Sequence, residues 1–140
     1  MSNTVREVMC ADPEMVLHSK TIREVAEIMR ERCIGDVLVC DDDGRMCGIV
    51  TDRDLVVRGL AEGRDPDATT IGEVCSSHIV TVRSDDSIDE AVRLMCENAI
   101  RRVPVIDEDM PVGIVSIGDL ARDRDPASAL ALISAAPPSA

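Results

Sequence analysis

The chain has 140 residues, 45% of them hydrophobic, with no Phe, Tyr or Trp and a net charge of −12. That charge excludes nucleic acid as a partner, because neutralising phosphates takes a basic surface, and it disfavours an anionic membrane surface. Without aromatic rings there is no stacking platform for single strands. A core and any ligand pocket must be built from aliphatic side chains, Met, Ala and Cys.

The chain opens with MSNTVREVMC, which lacks the charged-then-apolar order of a signal peptide. No stretch is apolar enough for long enough to span a bilayer, so the sequence reads as a soluble cytoplasmic protein. Its six cysteines then read as reduced thiols and not as a disulfide framework. Thr4 and Glu7 have the spacing of a capping box that opens a short helix. An extended piece follows around residues 15–17. Thr21 with Glu24 opens a second helix, with an apolar stripe at Ile22, Val25, Ala26 and Met29 in i, i+3, i+4, i+7 spacing. Two strands, 37–40 and 47–50, flank the acidic turn DDDG. The string GIVTDRDL at 48–55 ends the second strand and starts a helix over about residues 52–60. EGRDPDATT at 62–70 is polar and carries Gly63 and Pro66, so it reads as a connector.

From residue 70 the same order returns. TVREVM matches TIGEVC, TIREVAEIM matches SIDEAVRLM, and IGDVLV matches IRRVPV, while GIVTDRDL matches GIVSIGDL at 113–120. The capping pairs are Thr70 with Glu73 and Ser87 with Glu90. The extended piece is around 79–82, and the second stripe is Ile88, Ala91, Val92 and Met95. The strands are 103–106 and 112–115, and the last helix of the repeat runs from about 117 to 122. One residue is lost between the turns DDDG and DEDM, where a deletion is tolerated. These boundaries give a first repeat at 4–61, a linker at 62–69, a second repeat at 70–123 and a tail at 124–140, in which ASALALISAA forms one amphipathic helix. The closing PPSA reads as an unstructured end. The fold class is α+β, two β-α-β-β-α repeats each with a leading helix. About 60 residues bury little surface alone, so the repeats are expected to share one core.

The recurring phrase keeps Gly, a hydroxyl residue and a carboxylate in fixed register. Its plainest reading is structural: Thr51 and Ser116 cap helices, and Asp54 and Asp119 complete the capping boxes or complement the helix dipole. That reading does not by itself call for Gly48 and Gly113. The functional reading adds a ligand, because a carboxylate accepts two hydrogen bonds at once and so suits a vicinal diol such as a ribose. Helix N-terminal N–H groups would face phosphates.

With these motifs in place, over about residues 4–123, the chain resembles a tandem pair of CBS domains, the type named after cystathionine beta-synthase. The G-h-x-[ST]-x-x-D phrase of that family is complete in both copies. The resemblance implies two repeats related by a pseudo-twofold axis, with adenosine nucleotides bound in clefts between them. It places ribose and phosphate contacts at Thr51, Asp54, Ser116 and Asp119. Phosphate contacts fall at Arg101 and Arg102, where the first repeat has Gly35 and Asp36, and Arg53 compensates there. Adenine contacts come from the backbone near Val16, Leu17, Val80, Thr81 and Val82, with Ile34, Val37, Ile100 and Val103 flanking the ring. It also implies a homodimer and a protein partner whose identity the sequence does not give.

Other groups in the sequence also carry ligand or redox chemistry. Cys75 and His78 have C-x-x-H spacing, but two ligands are too few for a structural zinc site, and Cys75 matches Met9 as a small core residue. Cys40 and Cys47 flank the first hairpin turn and are read as strand thiols before a redox pair. The acidic turns lack the spacing of a calcium loop. No catalytic constellation is present. The expectation is a stand-alone regulatory module and not an enzyme, with no required cofactor or metal. It would sense AMP, ADP or ATP without engaging nucleic acid or membrane. The alternatives are a structural, protein-interaction or stress-response module with an empty cleft, and a thiol or zinc sensor.

Overall fold

A computed structural model describes residues 2–137. The expectation for the closing residues falls mainly outside that range. Helices and strands run in the order α1 (Val5–Val8), β1 (Cys10–Ala11), β2 (Met15–Leu17), α2 (Ile22–Arg32), β3 (Asp36–Cys40), β4 (Met46–Thr51) and α3 (Asp52–Asp54). A π-helical segment, Leu55–Leu60, continues α3. Then come α4 (Ile71–Val74), α5 (Ile88–Asn98), β5 (Arg102–Asp107), β6 (Met110–Ser116), α6 (Ile117–Arg124) and α7 (Ala129–Ala135). The expected α+β repeats are present, and helix α7 falls within the stretch expected to be helical.

The compact units are not the contiguous repeats. One unit joins the residues up to Pro13 to those from Val80 onward, and the other is Glu14–Ile79. Each repeat therefore lends its leading helix to the unit of the other. In the Glu14–Ile79 unit, β2 pairs parallel with β3 and β3 antiparallel with β4. Ser76, just after α4, adds a bridge to Ile49 on the far side of β4. In the other unit, β5 and β6 pair antiparallel, and β1, just after α1, pairs with β6. The expected extended piece at 79–82 is reduced to a single parallel bridge, Val82 to Val105.

Each unit has its own hydrophobic cluster, where a single shared core was expected. Val16, Ile22, Val25, Met29, Val37, Val39, Val50, Leu55, Ile71 and Val74 form one cluster. Val5, Val82, Ile88, Ala91, Met95, Val103, Val105, Val115 and Leu120 form the other. The exchanged helices explain why two cores suffice, since Val5 and Ile71 are fully buried in the unit of the other repeat. Burying each such side chain contributes about 1.5–3 kcal/mol. The helical stripes are narrower than expected: Ile22, Val25 and Met29 are buried, as are Ile88, Ala91 and Met95, whereas Ala26 and Val92 are exposed.

Capping boxes close α1, α2 and α4 as the Thr-x-x-Glu spacing predicts. At α5 only half of the box forms. Ser87 accepts the Glu90 N–H, but the Glu90 carboxylate turns to Arg93, whose Nε donates to it at 2.9 Å. A guanidinium one turn on offers a charge-assisted partner in place of a neutral backbone N–H. The segment read as a connector folds back onto its own unit. Thr69 is buried, its carbonyl accepts the Ile22 N–H, and Arg23 pairs with Asp67.

Candidate functional site

Both copies of the repeated phrase sit where a central strand becomes a helix. Thr51 follows β4 with extended backbone and caps α3: the Asp54 N–H donates to Thr51 Oγ1 at 3.1 Å, and the Thr51 N–H donates to Asp54 Oδ2 at 3.0 Å. Ser116 does the same for α6, with Asp119 N–H to Ser116 Oγ at 3.2 Å and Ser116 N–H to Asp119 Oδ2 at 2.8 Å. The structural reading of the hydroxyl–carboxylate pair is therefore realised twice. One oxygen of each carboxylate is committed to it.

The phrase's glycines turn out to have a structural cause as well, which the sequence reading missed. A Cβ on Gly48 would lie 2.6 Å from Cys75 Sγ and 3.0 Å from the Ser76 carbonyl oxygen. On Gly113 it would lie 2.5 Å from Met9 Sδ and 2.8 Å from the Cys10 carbonyl oxygen. In both cases the segment after the exchanged helix lies flat on the strand, and only Gly permits that approach. The signal was present, because Met9 and Cys75 occupy equivalent places in the repeat. Which strand they meet cannot be read from spacing.

What remains for a ligand is the other carboxylate oxygen, and here the two copies differ. The Asp54 side chain is 21% exposed, and its Oδ1 has Arg58 Nε at 3.9 Å, an ion pair too long for a hydrogen bond. The Asp119 side chain is 5% exposed, and Arg122 hydrogen-bonds its Oδ1. Both copies do gather the predicted neighbours. Asp36 lies opposite Thr51 in the β3–β4 ladder, and the Asp52 N–H donates to the Gly35 carbonyl. In the same register Arg102 lies opposite Ser116, and the Ile117 N–H donates to the Arg101 carbonyl. Arg53, Arg101 and Arg102 are exposed.

Of the residues expected around adenine, Val16, Val37, Val82 and Val103 are buried in the two cores. Their side chains are committed to packing, which leaves mainly their backbone to a ligand. Leu17 is 44% exposed, Thr81 is exposed, and Ile34, Val80 and Ile100 are half-buried. These carry the apolar surface still open to a ring.

A separate cleft of about 380 Å³ in the Glu14–Ile79 unit is lined by His18, Asp41, Cys47, Thr70, Gly72, Cys75 and Ser77. His78, the second member of the C-x-x-H spacing, is exposed and not among the lining residues. Among the described residues no three His, Cys, Asp or Glu side chains converge to hold a metal. None of the six cysteines is in a disulfide. The Cys40/Cys47 pair is offset by a bulge that puts Cys40 opposite Met46. Burial pushes the Cys40, Cys47 and Cys75 thiols up, away from the thiolate that reacts or ligates.

The paired phrases, each on its strand–helix junction, are met in known proteins. The sequence matches the CBS domain family over residues 5–59 and 71–124. The chain belongs to the CBS domain family. It is 44% identical over 119 residues to Hypoxic response protein 1 of Mycobacterium tuberculosis, covering 85% of this chain and 83% of that one. The CBS domain-containing protein YhcV of Bacillus subtilis is 36% identical over 119 residues, covering 85% and 84%. A crystal structure of Hypoxic Response Protein I with two coordinated zinc ions matches with a TM-score of 0.80 at 43% identity, covering 88% of this chain and 99% of that one. The CBS domain pair of protein MJ0100, in complex with 5′-methylthioadenosine and S-adenosyl-L-methionine, matches with a TM-score of 0.74 at 29% identity, covering 85% and 93%. The chain is thus a CBS domain pair, a regulatory module. Among its described residues no helix is long and apolar enough to cross a membrane.

Proposed function

We propose that this CBS domain pair is a cytoplasmic regulatory module and not an enzyme, that it binds an adenosine nucleotide, and that it works as a homodimer signalling to a protein partner. The observation that carries this reading is the Asp54 carboxylate. It is fixed by its capping box, partly exposed at a helix N-terminus, and has one oxygen free of hydrogen bonds among the described residues. A fixed acceptor of that kind suits a ribose diol, and a hydrogen bond to a charged group contributes about 1.5–3 kcal/mol. The adenosine ligands of the MJ0100 pair support the chemical class. Arg101 and Arg102, exposed beside Ser116, supply forks for phosphate oxygens.

A second reading, a zinc or thiol sensor, has one observation in its favour. His18, Cys47 and Cys75 share a cleft, and the crystal structure of Hypoxic Response Protein I holds two coordinated zinc ions. The raised thiol pKa values, and the lack of a convergent triad among the described residues, weigh against it. A thermal-shift panel with AMP, ADP, ATP, S-adenosylmethionine and zinc separates the readings. A ligand at 100 times its Kd stabilises by about 2.7 kcal/mol. The nucleotide reading predicts a rise with at least one adenosine ligand. A rise with zinc alone would replace it with the second reading.

A further inference from the structure

Helix α7 packs on α6. Ser128 caps it, accepting the Ala131 N–H at 3.1 Å. Its docked face is made of small residues, Ala131, which is 2% exposed, and Ser134. Its large side chains, Leu130, Leu132 and Ile133, are 42%, 63% and 71% exposed. Ser134 lies directly over the first turn of α6, where its Oγ is 2.5 Å from the place a Cβ on Gly118 would take. Gly118 is one of the two residues between Ser116 and Asp119 in the repeated phrase. Arg122 fastens the arrangement from below. Its Nη1 donates to the Ser134 carbonyl at 2.9 Å, while Nη2 holds Asp119 Oδ1. The carboxylate oxygen not used by the capping box is therefore occupied, and the carboxylate is buried. Neither holds at Asp54, whose helix continues into the π-helical segment.

We propose that α7 is a built-in cover over the second copy of the phrase. As folded, the chain then offers one open half-site, at Thr51 and Asp54, and keeps the other, at Ser116 and Asp119, closed until α7 lifts. The inference rests on the nucleotide reading above and adds a regulatory element to it. Release is physically feasible, because the residues docked on α6 include the small side chains Ala131 and Ser134, and a seven-residue helix has little stability of its own. Once α7 leaves, the Ser134 carbonyl no longer helps to hold Arg122, and the Asp119 oxygen becomes available to a hydroxyl.

The test is calorimetric titration of AMP into the 140-residue chain and its variants. The wild type should bind one AMP per chain, and its affinity should fall by roughly thirtyfold in Asp54→Ala and stay unchanged in Asp119→Ala. Ala131→Asp puts a charge in the docked face, and Ser134→Leu is too large to sit on Gly118. Each should raise the stoichiometry to two, and adding Asp119→Ala should return it to one. Amide hydrogen exchange across residues 129–135 shows whether α7 has been released. A wild type that binds two AMP overturns the proposal. So does a single site weakened in Asp119→Ala in place of Asp54→Ala, or a released α7 with stoichiometry still at one. The wild-type arm and the two aspartate variants decide the matter even if both undocking variants misfold. Binding by none of these proteins would sink this inference together with the nucleotide reading.

Discussion

Gly48→Ala tests the exchange of leading helices most sharply. The new Cβ would sit 2.6 Å from Cys75 Sγ, 3.3 Å from Cys75 Cβ and 3.0 Å from the Ser76 carbonyl oxygen. Overpacking of this kind costs typically about 1–3 kcal/mol. Alanine regains about 0.5 kcal/mol over glycine in a strand, so a net loss of about 1.5 kcal/mol is expected. Cys75→Ala alone removes a half-buried sulfur and should cost about 1 kcal/mol. In the double variant the sulfur is gone, and only the 3.0 Å carbonyl contact and the 3.3 Å Cβ contact must relax, by a few tenths of an ångström. The double variant's loss should therefore fall short of the sum of the two single losses by about 1 kcal/mol, a coupling well within the range for touching residues. Urea unfolding of the four proteins, compared at equal m-values, measures it. Strict additivity would mean that Cys75 does not lie on Gly48, and the assignment of α4 to the Glu14–Ile79 unit would fail. Gly113→Ala provides a contrast. Part of its clash is with the Cys10 carbonyl at 2.8 Å, so Met9→Ala should rescue it only in part.

Two further outcomes follow from the geometry. In the Ala131→Asp background, where the Ser116–Asp119 half-site is open, Arg102→Ala should weaken ATP and AMP there by about tenfold or more while leaving adenosine nearly unchanged, because a guanidinium fork pairs phosphate oxygens that adenosine lacks. Equal losses in calorimetry at fixed ionic strength would assign Arg102 to structure. Asp107 bears on acid stability. The Ser84 hydroxyl, and then the Ser84 backbone N–H, hold its carboxyl below the usual range. Its folded pKa is thus lower than its unfolded one, so its contribution is complete above the ordinary aspartate pKa of about 4 and is lost as pH falls through the folded value. Asp107→Asn should flatten the fall in melting temperature on acidification below that pH, and an unchanged slope would contradict it.

The repeat was legible because each element carries a local signal. Capping pairs, helical stripes and alternating strands are set within a few residues of one another, and Thr21 with Glu24 or Ile22 with Met29 can be read without any tertiary knowledge. The exchange of α1 and α4 was not legible. It depends on which strand Met9 and Cys75 lie against, and nothing in the spacing of TVREVM or TIGEVC states that. The same limit applied to the phrase itself. Thr51 and Asp54 could be named, but whether Gly48 served a ligand or a crossing chain segment required the coordinates. The inequality of Asp54 and Asp119 was hidden for a third reason. It comes from Arg122 and Ser134, which lie outside the repeated string and have no counterpart in the first copy. Val37 and Val103 show the opposite bias. The family resemblance placed them around a ring, and the core clusters claim their side chains.

The most direct test of the central claim is calorimetric titration of AMP and adenosine into the wild type and Asp54→Ala at fixed ionic strength. Both ligands carry the ribose diol, so both should bind the wild type and both should weaken in the variant. A loss of about 2 kcal/mol corresponds to roughly thirtyfold in Kd. The stability should drop only by what a missing capping-box partner costs, about 1 kcal/mol or less. No binding of AMP by the wild type at millimolar concentration would contradict the account, as would identical affinities for the wild type and Asp54→Ala.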